Sequence, residues 1–192
     1  MILGPDYVFI AVPRTASVSI ASWLVAEHGG IWHGDHHGTD IPLEHRDKFT
    51  FTVVRDPFTR LPSMYRYVAE KFWPDTCWRE SAEAADWRAL GMPFDCGMAE
   101  FIRWAAAQRG HQWCSQWDML DDPDGLEYLD RNLKFEELPG CLLSLPFVDK
   151  AKPLALPHLN PTGEYPSLTA EERAAISFHS SKDIRFWGYD IA

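Results

Sequence analysis

The segment Tyr7-Val8-Phe9-Ile10-Ala11-Val12-Pro13-Arg14-Thr15-Ala16-Ser17-Val18-Ser19-Ile20 decides the reading of this chain. Its six apolar residues, 7–12, have the pattern of a parallel strand buried on both faces. A small polar loop follows, and then Ile20, Leu24 and His28 recur at helical spacing up to Gly29-Gly30, a natural helix stop. The pattern returns at Phe51-Thr52-Val53-Val54-Arg55-Asp56-Pro57-Phe58-Thr59-Arg60-Leu61-Pro62-Ser63-Met64-Tyr65. There a strand over 49–54 meets Asp56, a natural N-cap, and Pro57, a natural first helical residue. Phe58, Leu61, Tyr65, Val68 and Phe72 mark one face of the helix that follows, and Pro62 predicts a kink or an irregular second turn. Each junction sets an arginine and hydroxyl side chains at a helix N-terminus, where unpaired N–H groups and the helix dipole attract anions. Two such junctions predict a ligand with two separated phosphate-like groups.

Further along, residues 73–95 lose periodicity and read as a long loop, with Trp73, Trp78 and Trp87 either stacking on a flat acceptor or filling a core. Residues 98–109 read as a helix with Met98, Phe101, Ile102 and Ala105 inward and Gly110 as its stop. Asn132 to Leu138 reads as a strand entering a turn. Thr169 with Glu172 makes a capping box for a helix to about His179. Strands, loops and helices alternate, which predicts an α/β fold with a largely parallel central sheet flanked by helices.

Composition narrows the function. The chain has 192 residues, 46% of them hydrophobic, enough for a single globular domain over 1–192. No stretch approaches the roughly 20 apolar residues of a membrane span. The N-terminus runs directly into the first strand, so no signal peptide and a cytoplasmic protein are expected, without membrane attachment. The net charge of −10 argues against nucleic acid as a partner, because such binding draws on phosphate neutralisation. An anionic ligand must instead be held by concentrated positive groups, of which Arg14, Arg55 and Arg60 are the supply. Cys77, Cys96, Cys114 and Cys141 contain no CxxC pair, and reduced thiols are expected.

Taken together, the two junctions resemble the phosphosulfate-binding and 3′-phosphate-binding loops of sulfotransferases that use 3′-phosphoadenosine 5′-phosphosulfate, and are most similar to the carbohydrate-type enzymes. The first loop of that family reads roughly Pro-Lys-Thr-Gly/Ala-Gly-Thr-Ser. Pro13, Thr15, Ala16 and Ser19 match it, while Arg14, Ser17 and Val18 replace lysine, glycine and threonine. The second loop matches at Val54-Arg55-Asp56-Pro57, Arg60, Ser63 and Tyr65. Weaker similarity continues through Gln116, the 133–138 strand, Pro157-His158-Leu159-Asn160, and Asp183 with Phe186-Trp187-Gly188-Tyr189.

The resemblance implies a P-loop NTPase-like fold and transfer of a sulfuryl group from 3′-phosphoadenosine 5′-phosphosulfate to an acceptor hydroxyl, a carbohydrate being one candidate, with no metal. Arg14, Thr15, Ala16, Ser17, Val18 and Ser19 would hold the 5′-phosphosulfate, and Arg14 would also steady the leaving oxygen. Arg55 and Ser63 would grip the 3′-phosphate; Arg60 would help, or pair with a buried acid. His37 is the implied base because His37-Gly38-Thr39 resembles the family's His-Ala-Thr element, with His36, His33, Glu136 and Glu137 as rivals. His33 and His37 are four residues apart, but no cysteine or second spaced pair completes a metal site. Two other readings stand beside this one. A non-catalytic nucleotide-binding or partner-binding domain would explain the departures at Arg14, Ser17 and Val18. A small-molecule kinase fits less well, since the first loop lacks GxxxxGK[ST].

Overall fold

Parallel pairing of the two strands read first from the sequence forms the centre of the sheet. In the computed structural model, which describes residues 1–73, 80–108, 112–121, 126, 128–159 and 167–190, β1 is Ile2–Leu3, β2 is Tyr7–Ile10, β3 is Ile31–Trp32, β4 is Phe49–Val54 and β5 is Arg131–Lys134. Their order is β3-β1-β2-β4-β5. β2 runs parallel to β4, with Tyr7 opposite Phe49 and Ile10 opposite Thr52, and β4 runs parallel to β5. β1 is antiparallel to both β2 and β3. The fold is therefore α/β, but the sheet is mixed: the expected parallel arrangement covers three strands, and a two-strand antiparallel edge extends it.

That edge has a local cause. Gly4 turns the chain from β1 into β2, with its N–H donating to the Tyr7 carbonyl. A Cβ at Gly4 would lie 2.2 Å from the Tyr7 ring, so only glycine fits the turn. Strands of two residues carry too little periodicity to be legible in a sequence.

The chain divides into two compact units, Met1–Arg55 with Leu120–Pro161, and Asp56–Met119 with Thr162–Ala192. The first holds the whole sheet and helix α1 (Ser17–Glu27). Its core joins Phe9, Ala11, Phe51, Val53 and Leu133 of the sheet region to Ile20, Ala21 and Leu24 of α1. Val8 and Ile10 of β2 are equally buried, as expected of a strand covered on both faces. Thr52 is buried too, and its hydroxyl is satisfied by donating to the Ile10 carbonyl at 2.8 Å.

The second unit is helical among the described residues: α2 (Pro57–Lys71), α3 (Ala82–Ala89), α4 (Met98–Ala106), all but the last residue of α5 (Gln116–Leu120), α6 (Ala170–His179) and α7 (Ser181–Trp187). Asp56 caps α2 by accepting from the Phe58 N–H, and Thr169 and Glu172 form the expected capping box of α6. α2 passes unbroken through Pro62. One missing N–H is tolerated because Leu61, Pro62 and Ser63 are held inside the unit. The 73–95 stretch is not wholly a loop, since Ser81 caps α3 within it. Trp73 and Trp87 belong to the core with Leu61, Phe72, Phe101 and Ile176, so they fill the interior and do not face an acceptor. Trp78, Cys77, Arg109, Gly110 and Asn160 lie outside the described residues. Cys96 and Cys141 are half-buried thiols outside any disulfide, and burial pushes the Cys141 thiol up to about 11. Among the described residues no helix is long and apolar enough to cross a membrane.

Candidate anion-binding site

The end of β2 and the start of α1 are joined by a strained turn. Arg14 has φ 65° and Ala16 φ 61°, both in the left-handed region that residues with a Cβ seldom occupy. Such conformations cost about 1–3 kcal/mol each and persist where surrounding structure imposes them, often at ligand sites. Turns of this kind curl successive N–H groups toward a common point and make anion-binding concavities. Ala16 is also the N-cap of α1 and has no side chain to satisfy the helix. The first intrahelical bond runs from the Ile20 N–H to the Ala16 carbonyl, which leaves the N–H groups of Ser17, Val18 and Ser19 ahead of it at the positive end of the helix.

Side chains brace this turn from three directions. The Thr15 hydroxyl donates to the Val12 carbonyl at 2.9 Å, so it holds the loop closed and its proton is already committed. Ser19 Oγ accepts from the Leu159 N–H at 3.1 Å, bringing the 157–159 segment to the start of α1. Arg55, only 8% exposed, donates through Nη1 to the Arg14 carbonyl at 3.1 Å. Its guanidinium lies 4.1 Å from the centre of the Phe135 ring, a cation–π contact worth about 1 kcal/mol in such a place. The sequence had singled out Phe135 only as part of a strand. The structure gives it a second task, fixing the plane of Arg55.

The second junction differs from the first. Asp56 already occupies the α2 N-terminus with its own carboxylate, so an anion there would meet negative charge. Ser63 is on α2 in the second unit and exposes no surface. Arg60 is fully buried in that unit, where Nη1 donates to the Cys114 carbonyl and its charge acts on Asp183 and His179. Of the two roles open to it from sequence, pairing with a buried acid is the one its surroundings support.

The histidines separate cleanly. His37 Nδ1 lies 2.6 Å from the Ala11 carbonyl, the residue that follows β2. A carbonyl can only accept, so Nδ1 carries the proton and the lone pair of the neutral ring sits on Nε2. His36 packs edge-on against His37, with ring centres 4.3 Å apart. Its Nε2 is buried with no hydrogen-bond partner among the described residues, and burial followed by the N-terminal ammonium pushes its pKa down. His33 is exposed, and the carbonyls of His33, Asp35 and His36 all accept from the Met1 amino group. Glu136 and Glu137 lie exposed on the 3-10 turn after β5. Among the described residues no three His, Cys, Asp or Glu side chains gather as a metal ion would require.

The first unit thus gathers the Arg14–Ser19 turn, the Arg55 guanidinium on the Arg14 carbonyl and the His37 imidazole on the Ala11 carbonyl at the end of β2. Compared with known proteins, the chain matches no family model, no curated protein and no solved structure.

Proposed function

We propose that the chain is a sulfotransferase on a P-loop NTPase-like frame, moving a sulfuryl group from 3′-phosphoadenosine 5′-phosphosulfate to an acceptor hydroxyl. The observation that supports this is the 13–19 turn, whose left-handed Arg14 and Ala16 and uncapped helix start sit beside Arg55. The N–H groups of residues 15–19 would hold the 5′-phosphate, with the Ser19 hydroxyl as a further donor. Arg14 would neutralise the charge that develops on the bridging oxygen as the S–O bond breaks; its guanidinium stays protonated throughout. His37 Nε2 would take the acceptor's hydroxyl proton as the new O–S bond forms, leaving the adenosine bisphosphate as product. The 3′-phosphate falls to Arg55, since Ser63 is buried and Asp56 closes the second helix start.

Titration calorimetry with 3′-phosphoadenosine 5′-phosphate, AMP and ATP tests the reading. The bisphosphate is expected to bind more tightly than either of the others, and Arg55→Ala to weaken it by about 1.5–3 kcal/mol, the range for a charged hydrogen bond. Equal affinities for the three nucleotides would defeat it. Binding of the bisphosphate without any sulfuryl transfer would favour the non-catalytic reading, which the Arg14, Ser17 and Val18 departures support.

A further inference from the structure

We propose that the open edge of β3 seats a second copy of this chain, paired antiparallel about a two-fold axis through Trp32. The inference goes beyond the sulfotransferase reading and is independent of what the anion site binds. β3 ends the sheet in the order β3-β1-β2-β4-β5, so among the described residues only its inner side is paired within the sheet. Which of its groups face outward follows from the ladder. The His33 N–H donates to the Met1 carbonyl at 3.1 Å, and the Met1 ammonium donates to the His33 carbonyl at 3.2 Å. Facing residues of an antiparallel pair alternate between those that exchange hydrogen bonds and those that do not. Met1 and His33 exchange them, so Trp32, opposite Ile2, does not, and its N–H and C=O point away from β1 toward the open edge. The Met1 ammonium stays on the β1 side, where it also donates to the Asp35 and His36 carbonyls of its own chain, so it sets no charge at the outer edge.

The two edges of the sheet meet water differently. β5 carries Arg131 and Lys134, charged side chains of the kind that deter strand addition. β3 carries Ile31 and Trp32, 71% and 44% exposed, strong strand formers whose exposure forgoes the burial such surfaces ordinarily gain. One outward N–H and one outward C=O on the same residue make this edge self-complementary. Two copies related by a two-fold axis would each donate the Trp32 N–H to the other's Trp32 carbonyl. The two indoles would then face each other on one side of the joined sheet, each backed by its own His36 ring at 4.7 Å. On the other side, Ile31 of each copy would stand opposite His33 of the second copy, with no carboxylate at either position. Asp35 lies beyond the bend at Gly34, where φ is 55°. A strand of another sequence could meet the outward N–H and C=O, but only a second copy supplies this matched pair of indoles without opposing like charges.

Sedimentation velocity of the intact chain in a concentration series, at physiological salt, reads the association. One strand edge buries less than the roughly 800 Å² per partner of a standard interface, so a dimer that dissociates in the micromolar range is expected. The charge of −10 on each copy opposes pairing and is screened beyond about 8 Å at that salt. Hydrogen exchange followed by NMR over the same series locates the contact. The Trp32 amide should exchange about fivefold more slowly at the concentrated end, while Ile31 and His33, whose N–H groups already face β1, change by less than about twofold. Ile31→Lys should associate at least about tenfold more weakly, because a charge on an edge strand deters pairing. Trp32→Cys should form a self-crosslinked dimer with diamide, since facing bonded residues have Cα atoms about 5.5 Å apart, within disulfide reach. Ile31→Cys, out of register with its own copy, should crosslink no more than wild type. A chain that stays monomeric throughout, a dimer whose Trp32 amide keeps its dilute exchange rate, or a dimer unchanged by Ile31→Lys would each overturn the proposal. So would a Trp32 amide protected only by an added strand-forming peptide, which would assign the edge to another protein.

Discussion

Acidification should weaken the helical unit through one residue, His179. This side chain closes α6 and is buried, with Nε2–H donating to the Trp113 carbonyl at 3.0 Å and Nδ1 accepting from the Ser180 hydroxyl at 2.8 Å. Both nitrogens are satisfied in the neutral ring. A second proton would be placed in a desolvated site near the Arg60 charge, and desolvation above all lowers the pKa to about 4 against an ordinary 6.5. A depressed pKa means that the unfolded chain takes up the proton first. Stability is therefore intact above about pH 6.5 and is lost as pH falls toward 4. Proton linkage between those two values gives a loss of about 2 kcal/mol between pH 7 and pH 5 from this group alone. That is a large fraction of a typical folding free energy, and corresponds to roughly 4–8 °C in melting temperature for a chain of this size. Asp183, whose pKa is raised by burial, opposes the trend because its protonated form favours the fold. His28 and His36, both lowered by burial, act in the same direction on the first unit. Urea unfolding at pH 7 and pH 5 with wild type and His179→Gln isolates the term. The variant starts less stable at pH 7, having lost matched hydrogen bonds, but its loss on acidification should be smaller than that of wild type by about 2 kcal/mol. Equal losses in the two proteins would refute the reasoning.

Three further outcomes are expected. Asp183→Ala should cost about 3–5 kcal/mol in urea unfolding, because Asp183 accepts from the Gln116 N–H, the Gln116 side-chain amide and the Trp117 N–H, and balances Arg60; a loss below about 1 kcal/mol would mean that the cluster is solvated. Ala16→Gly should raise stability by about 0.5–1 kcal/mol by relieving the left-handed backbone at φ 61°, and a glycine variant less stable than wild type would remove strain from the account of the turn. His37→Ala should lower turnover by about 10²–10⁴ on a verified acceptor while leaving bisphosphate affinity unchanged; full activity would transfer the role to Glu136 or Glu137, which stand exposed near the end of β5.

The sequence by itself determined the elements whose signals are local. The strand expected over 7–12, the strand at 49–54, the Asp56-Pro57 helix start and the Thr169–Glu172 capping box are each specified within a few residues; the first ends two residues early, at Ile10, and the others lie where the periodicity and caps put them. It also singled out Arg14, Arg55 and His37, because arginines beside strand–helix junctions and a histidine-rich loop are visible without coordinates. Tertiary structure decided what depends on residues far apart in the chain. The antiparallel edge of β1 and β3 comes from two-residue strands that only pairing makes visible. Burial sorted the arginines, leaving Arg55 on the Arg14 carbonyl and the Phe135 ring while Arg60 went to a buried cluster with Asp183. It sorted the tryptophans as well, enclosing Trp73 and Trp87 and leaving Trp32 in water. One long-range contact, from His37 Nδ1 to the Ala11 carbonyl, distinguishes this histidine from His33 and His36, and its proposed role rests on it. A hydrogen bond across 26 positions has no counterpart in local periodicity, and it is what fixes the tautomer on which the proposed chemistry depends.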